Sequence, residues 1–369
     1  MTNREIKVLH IISSLGIGGA ERQLLEIVKE NKSHGICQLI KKESWSGISK
    51  VTNNQFFDLG MRKGIPDPRA FWYLKKTIEI FKPEIIHTWM YHSSLLEVLT
   101  RKVFKNDHIP LVWGIRCSDM DTKFYSTQLK LVINGCRFFS SVPNIIVSNS
   151  SAGERFHKNL GFYNESYKII ANGINTDKFK PEHKIRINFR KRWKINASTK
   201  VFLCVARVDP MKDHSTLLKA FTEAKKNFKD IVLVLAGKNT NKYSNTDGVI
   251  ALGQCDKVEE IYPTADFIIS SSAFGEGFSN ALGEGMSSGL IPISTKVGDA
   301  ESIVDGKGIL IEPKDLEGLK SAIEKVSNID PKSLKNKTIQ VRNHIIEKYS
   351  RSRMLKAYDK IYNDLVDIK

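Results

Sequence analysis

Twice along this chain, apolar runs of strand length alternate with runs of helical spacing, and this double alternation limits the fold more than any other feature. In the first half the spacing predicts strands over 7–13, 56–59, 85–87, 111–115, 144–148 and 168–171, with helices over 20–32, 69–81, 93–104 and 152–160 between them. A polar, charged stretch at 175–199 reads as a linker. The pattern then restarts with strands over 201–205, 231–236, 249–252 and 308–311, and helical patterns over 316–326, 333–348 and 353–366 close the chain. Alternation of this kind builds a parallel sheet covered by helices on both faces, with ligands beyond the carboxyl ends of the strands. A chain of 369 residues is long enough for two such domains, expected at 1–174 and 175–350, with 351–369 as a terminal helix.

Composition narrows the classes of partner. The formal net charge of +17 attracts phosphates, nucleic acid or anionic lipid without choosing among them. Its one dense cluster, Arg186, Arg190, Lys191, Arg192 and Lys194, reads as a solvated helix face. Only Phe189 and Trp193 interleave with it, so a nucleic-acid partner is not expected. The five cysteines are odd in number and lack C-x-x-C spacing, which argues against a disulfide framework or zinc site and fits a reducing compartment. No run approaches 18 apolar residues, so any membrane contact is expected to be peripheral. The segment 123–141 is amphipathic and basic; it reads first as a core-packing helix and second as a membrane-surface element.

Chemistry-bearing residues gather after predicted strands. In the stretch 274–304, Gly275 and Gly277 bracket Glu276 after an apolar run, and Ser279, Asn280, Leu282 and Met286 predict a helix starting near Phe278. Such a helix start favours an anion through its unpaired amides and dipole. Glu284 follows two turns on, about 12 Å away at helical rise. The carboxylates of a retaining glycosidase stand only about 5 to 5.5 Å apart, so this pair reads instead as gripping two parts of one long ligand. Arg207 and Lys212 flank the turn after 201–205 and suit a diphosphate. Gly18 and Gly19 after the first strand read equally as a phosphate-ready corner or as glycines that only allow the tight turn. His87, Trp89 and His92 follow one strand, and Arg116, Ser118 and Asp119 the next.

These stretches resemble the retaining glycosyltransferases of family 4, whose GT-B architecture is α/β, two facing Rossmann-like domains with a cleft between them. GGAERQ at 18–23 resembles the family's first-turn motif, SNSSAGERFHKNLGF and NGINTDKF its interdomain signature, RVDPMKDHSTLLKAF its R-x4-K loop, and Glu276 with Glu284 its E-x7-E pair. The resemblance runs nearly the whole length and keeps the family's motif order. It implies a retaining, metal-independent transfer of a sugar from a nucleotide-sugar donor, UDP favoured, to a hydroxyl acceptor. Arg207 and Lys212 would hold the diphosphate with amides near Gly19 and at Gly277, Phe278 and Ser279, beside Asn280; Glu276 would bind sugar hydroxyls and Glu284 the ribose. The family's H-x-H stands here as His87, Thr88, Trp89, which leaves open whether His87 or His92 faces the anomeric carbon. Arg116 and Asp119 are expected on the acceptor side. The resemblance further implies a terminal helix returning to the N-terminal domain. Similarity around HTWMYHSSLL suggests surface-polysaccharide assembly such as O-antigen or capsule, with a lipid-linked glycan acceptor, no cofactor, and a cytoplasmic enzyme peripherally attached to an anionic membrane. A GT-B nucleotide-sugar epimerase or phosphorylase is the rival reading.

Overall fold

The computed structural model describes residues 5–16, 18–40, 55–62, 65, 67–119 and 126–367; Ile17 of the first glycine turn and Lys123 of the amphipathic segment lie outside the described residues. The chain divides into two compact units, Met1–Asn172 with Met354–Lys369, and Gly173–Arg353.

Unit 1 holds a seven-stranded parallel sheet in the order β3-β2-β1-β4-β5-β6-β7. Its strands are β1 (Val8–Ile12), β2 (Gly35–Ile40), β3 (Phe56–Met61), β4 (Ile85–Trp89), β5 (Leu111–Ile115), β6 (Ile145–Ser148) and β7 (Tyr167–Ile169). Strands β1, β4, β5 and β6 are buried at every residue, as a sheet covered on both faces requires. On one face pack α2 (Arg69–Phe81), α3 (Tyr91–Phe104) and α4 (Thr127–Phe138), through Leu74, Ile78, Val98, Ile133 and Cys136. On the other lies α1 (Gly19–Glu30), with Leu24, Leu25 and Val28 inward. Helix α5 (Ser151–Asn159) links β6 to β7. Strand β2, GICQLI, is absent from the sequence expectation because it opens on glycine and carries Gln38. That glycine is needed, since a Cβ at Gly35 would stand 2.7 Å from the Phe81 ring.

Unit 2 holds a six-stranded parallel sheet in the order β10-β9-β8-β11-β12-β13. The strands are β8 (Lys200–Val205), β9 (Ile231–Ala236), β10 (Val249–Gly253), β11 (Phe267–Ser270), β12 (Ile291–Thr295) and β13 (Ile309–Ile311). Its helices are α6 (His183–Arg192), α7 (His214–Asn227), α8 (Asn280–Ser287), α9 (Ala300–Val304), α10 (Leu316–Ser327) and α11 (Pro331–Tyr349). In both units the sheet grows outward in two directions from its first strand. The first and fourth strands are therefore neighbours whose following loops diverge, which opens the crevice where doubly wound sheets bind ligands.

Two expectations are corrected here. The stretch 175–199 is no plain linker, because α6 lies inside it and belongs to unit 2. Nor is its basic cluster wholly solvated. Arg186 donates to Asp266 Oδ1 at 2.6 Å, and Arg190, buried, donates to Asp266 Oδ2 at 3.2 Å and to the Thr199 carbonyl at 3.1 Å. The same Asp266 oxygen accepts from the Val201 amide at 2.8 Å, so two cations and one carboxylate fasten α6 to the sheet.

Helix α12 (Arg351–Asp367) follows α11 and joins unit 1 from Met354 onward. Met354, Tyr358, Ile361 and Tyr362 fall on one helical face and are buried with Val8, Ile12, Ile85 and Trp89. Full burial of each such side chain contributes about 1.5–3 kcal/mol.

Candidate functional site

In unit 2 the loops after β8 and β11 are hydrogen-bonded to each other at their roots, before they diverge. Asp209 caps the short 3-10 turn Pro210–Lys212, its Oδ1 accepting from the Met211 amide at 3.0 Å. Its other oxygen accepts from Arg207 Nε at 3.0 Å, so this exposed guanidinium is held at the turn's edge. The turn is stitched to the neighbouring loop: the Ala273 amide donates to the Met211 carbonyl at 2.8 Å, and Ser271 Oγ to the Lys212 carbonyl at 2.9 Å. Lys212 Nζ then donates to Glu276 Oε1, which also accepts from Ser272 Oγ at 2.7 Å. Burial pushes the Glu276 carboxyl up, but Lys212, Ser272 and Arg207 outweigh it and hold the group below its ordinary range. The site is thus an ionised carboxylate and an ammonium paired in a largely buried corner, with a second cation alongside.

Backbone geometry keeps Glu276 in place. Gly275 has φ +80°, and Gly298 has φ +65° with a would-be Cβ only 2.4 Å from the Glu276 and Gly277 carbonyl oxygens. The Asp299 amide donates to the Gly277 carbonyl at 3.0 Å. Helix α8 begins at Asn280 with Ser279 as its N-cap, two residues later than the spacing predicts. Glu276 therefore sits in the loop and not on the helix, and the helical-rise estimate of its distance from Glu284 does not apply. Glu284 is buried on α8, where its Oε2 accepts from the Tyr262 hydroxyl at 2.6 Å. Phe278 turns inward against Tyr349, ring centroids 5.2 Å apart, which leaves its backbone rather than its side chain for a ligand. Ser272, Asp209 and Tyr262 escape sequence reasoning, because loop residues carry no periodic signal.

In unit 1 the corresponding loops follow β1 and β4. Gly18 is the N-cap of α1, and Gly19, exposed, is its first residue. The Glu21 carboxylate lies over this helix start, so close that a Cβ on Gly18 would meet it. After β4, Met90 takes φ 69° and ψ 176°, a strained conformation for a residue with a side chain, costing on the order of 1–3 kcal/mol. It is held by its amide donating to the Gly114 carbonyl at 2.9 Å and by Ser93 and Ser94 hydroxyls donating to its own carbonyl. The next residues diverge in role. Tyr91 is buried in a chain whose direction is determined. His157 Nδ1 donates to the Gly153 carbonyl at 2.7 Å, so its Nε2 accepts from the Tyr91 hydroxyl at 2.6 Å. His92 is exposed on the first turn of α3, and partial desolvation lowers its pKa.

His87 is corrected as a residue able to reach a substrate. Strand β4 runs on to Trp89, so alternation points His87 onto the sheet face beneath α12. It has no exposed surface, shares a 2.8 Å hydrogen bond with the Tyr362 hydroxyl through Nδ1, and stacks on Trp89 at 4.7 Å. Its register partner His10 accepts from Trp89 Nε1 at 3.1 Å and so donates through Nε2 to His34 at 3.0 Å. Burial keeps these rings neutral, lowering His10 and His87 well below the ordinary histidine value and His34 to about 4. Arg116 is likewise tied inward, donating to Tyr358 at 2.5 Å and Asn172 at 3.1 Å, with its guanidinium 4.3 Å from the Trp89 ring centroid. Asp119 is exposed.

Among the described residues no cluster of three or more His, Cys, Asp or Glu could hold a metal ion. Two open hollows of about 310 and 380 Å³ share Lys229, Asp230 and Ile231 at the amino-terminal edge of the unit 2 sheet, and none of the expected site residues lines either.

Two family models match the chain: Glycosyltransferase Family 4 over residues 17–178 and Glycosyl transferases group 1 over residues 185–343. No curated protein matches it significantly. Among solved structures it is similar to Anabaena Alr3699/HepE in complex with UDP-glucose, at TM-score 0.82 and 17% identity, covering 97% of this chain and 100% of that one. A glycosyltransferase from Rickettsia africae matches at TM-score 0.78 and 18% identity, over 97% and 98% of the two chains. WaaG, a glycosyltransferase involved in lipopolysaccharide biosynthesis, matches at TM-score 0.72 and 12% identity, over 96% and 99%.

Proposed function

We infer that this chain, a glycosyltransferase of GT-B architecture built from two Rossmann-like domains, transfers a sugar with retention from a UDP-sugar to a hydroxyl of a lipid-linked glycan, without a metal. The observation that carries the reading is the Lys212–Glu276 pair, with Arg207 beside it, where the loops after the first and fourth strands of unit 2 diverge. As the glycosidic bond breaks, negative charge grows on the departing diphosphate, and Lys212 and Arg207 stabilise that growth without reorganising. The acceptor oxygen bonds to the anomeric carbon as the carbon–phosphate oxygen bond opens, and the acceptor proton passes to the departing phosphate. Glu276 orients sugar hydroxyls, and Glu284 the ribose. Amides at Gly277, Ser279 and Asn280 contribute donors to the diphosphate. His92, the exposed histidine of the pair, is the one assigned to the anomeric side, and Asp119 to the acceptor; Arg116, tied to Tyr358 and Asn172, is left as a support beneath them.

The HepE complexes with UDP and UDP-glucose support a uridine donor, and the lipopolysaccharide role of WaaG supports a lipid-linked acceptor at a membrane. No helix among the described residues is long and apolar enough to cross a bilayer. Peripheral attachment to the cytoplasmic face of the membrane fits the +17 charge. Thermal shift with UDP-, GDP- and ADP-sugars tests the donor: a ligand at 100 times its dissociation constant adds about 2.7 kcal/mol. Turnover that persists in EDTA supports the metal-free route, and loss restored by magnesium refutes it. Conversion of the donor with no acceptor present would identify an epimerase instead.

A further inference from the structure

The two helical faces of unit 1 differ in what they show to solvent. On α1 and α12 no large apolar side chain is exposed. On α2, α3 and α4, which share the other face, six are: Trp72 at 63%, Tyr73, Ile80, Val103, Leu131 at 71% and Phe138 at 79%. They are no by-product of a poor core, because the opposite sides of these helices are filled by Leu74, Ile78, Val98, Ile133 and Cys136. The helices also pack side by side. Trp72 of α2 meets Phe104 of α3 edge to face at 4.9 Å, and a Cβ on Gly135 of α4 would stand 3.0 Å from Leu95 of α3.

The exposed charges on the layer are predominantly positive. Lys76, Lys102, Lys130 and Arg137 are exposed, and Lys105 caps the end of α3. Glu79 is the only exposed carboxylate on the three helices, and it is paired with Lys75 at 3.1 Å. Glu97 is buried and paired with Arg101 at 2.9 Å, so it projects no charge outward. Aromatic and aliphatic side chains set among lysines and arginines suit a boundary where apolar groups enter acyl chains while cations meet phosphate headgroups.

We propose that the α2–α3–α4 layer is the face by which this protein docks on an anionic lipid bilayer, inserting Trp72, Tyr73, Leu131 and Phe138. The proposal rests on the membrane-bound acceptor inferred above and adds the surface and the mode. Attachment has an apolar part that survives salt, beyond the screened attraction of the +17 chain.

The test is co-sedimentation with phosphatidylcholine vesicles containing phosphatidylglycerol, at low and high salt, using the full chain. Wild type binds anionic vesicles and keeps part of that binding at high salt. Trp72→Ser with Tyr73→Ser, and separately Leu131→Ser with Phe138→Ser, each lower the partition by about tenfold or more. Thermal unfolding of these surface variants stays at the wild-type temperature, and turnover of a soluble acceptor is unchanged. Wild-type binding by both double variants, or complete loss of wild-type binding in high salt, overturns the docking layer while leaving membrane attachment standing. Absence of vesicle binding by the wild type removes the membrane reading itself. A lipid-free dimer in sedimentation velocity, dissolved by the same variants, assigns the face to a second copy and also overturns the proposal.

Discussion

The contact between the first and fourth strands is built from rings in both units, with opposite polarity. In unit 1, His10 lies opposite His87, ring centroids 5.2 Å apart, in a neutral cluster closed by Trp89, His34 and Tyr362. In unit 2 the pair is Phe202 and Phe267, stacked at 4.9 Å, and polarity appears only beyond the strand ends, as Lys212, Arg207 and Glu276. Sheet order says where loops diverge in both units; it does not say where charge is held. A charge survives in unit 2 because its counter-charge comes with it, whereas the imidazoles of unit 1 are surrounded by apolar rings and Arg116, and stay neutral.

The largest effect that would break this contrast is on catalysis. Lys212→Met or Glu276→Gln is expected to lower kcat/KM by about a hundredfold or more, roughly 2.7 kcal/mol of transition-state stabilisation. His87→Gln, measured per folded molecule, is expected to stay within about threefold of wild type. A loss at His87 equal to that at Lys212 would erase the distinction. Lys212→Met should also move the acid limb of the rate profile upward, because burial then acts on Glu276 without its main opponent.

Acid stability sharpens the contrast next. Buried His10, His34, His87 and His157 all have lowered pKa values in the folded state, His34 and His157 at about 4. Their stabilisation is present above the unfolded value near 6.5 and is lost as pH falls toward the folded values, by up to about 1.4 kcal/mol per pH unit for each histidine. Glu276, also lowered, holds its contribution until pH falls below the ordinary carboxylate range. Near-ultraviolet melts report unit 1 through Trp89 and Trp113. They should show loss of stability between pH 6.5 and 4.5, and a flat profile there would count against neutral burial of the four rings.

Glycines give the finer tests. Gly298→Ala forces a Cβ against the Glu276 and Gly277 carbonyls and should lower both melting temperature and turnover, at a cost of about 1–3 kcal/mol. Gly114→Ala meets His87 Nε2 at 3.0 Å and should lower stability alone. Gly306→Ala, at φ +69° in open space, carries only left-handed strain of about 1–2 kcal/mol, with turnover unchanged. Equal activity losses at Gly298 and Gly306 would mean that the Glu276 loop is not specifically supported.

What could be read in advance follows the same division. Strands that are apolar throughout, such as VFLCV in β8 and IVLVLA in β9, announce themselves, and Arg207, Lys212 and Glu276 stand out because they follow such strands. GICQLI of β2 does not, since glycine and glutamine break the run, although Gln38 is buried and donates to Asp58 at 2.7 Å. Helix α6 hides because its arginines look like solvated charge, while Asp266, which holds them, is 76 positions from Arg190. His87 is misplaced by two residues of strand length, enough to turn a strand-end side chain into a sheet-face one.

The backbone leaves unit 1 after Asn172 and re-enters it at Met354, so the cover over Trp89 and His87 is encoded some 270 positions after them. During synthesis on the ribosome, β1 and β4 emerge early with polar rings that have no lid, and the 181 residues of unit 2 must be translated before Tyr358 and Tyr362 appear. Unit 2 is contiguous and can close its core on emergence, whereas unit 1 waits, half-finished, for a helix translated after all of unit 2. Its quality is thus set last. A nascent chain interrupted anywhere before Tyr358 presents an uncovered imidazole and indole surface to the chaperone and protease machinery.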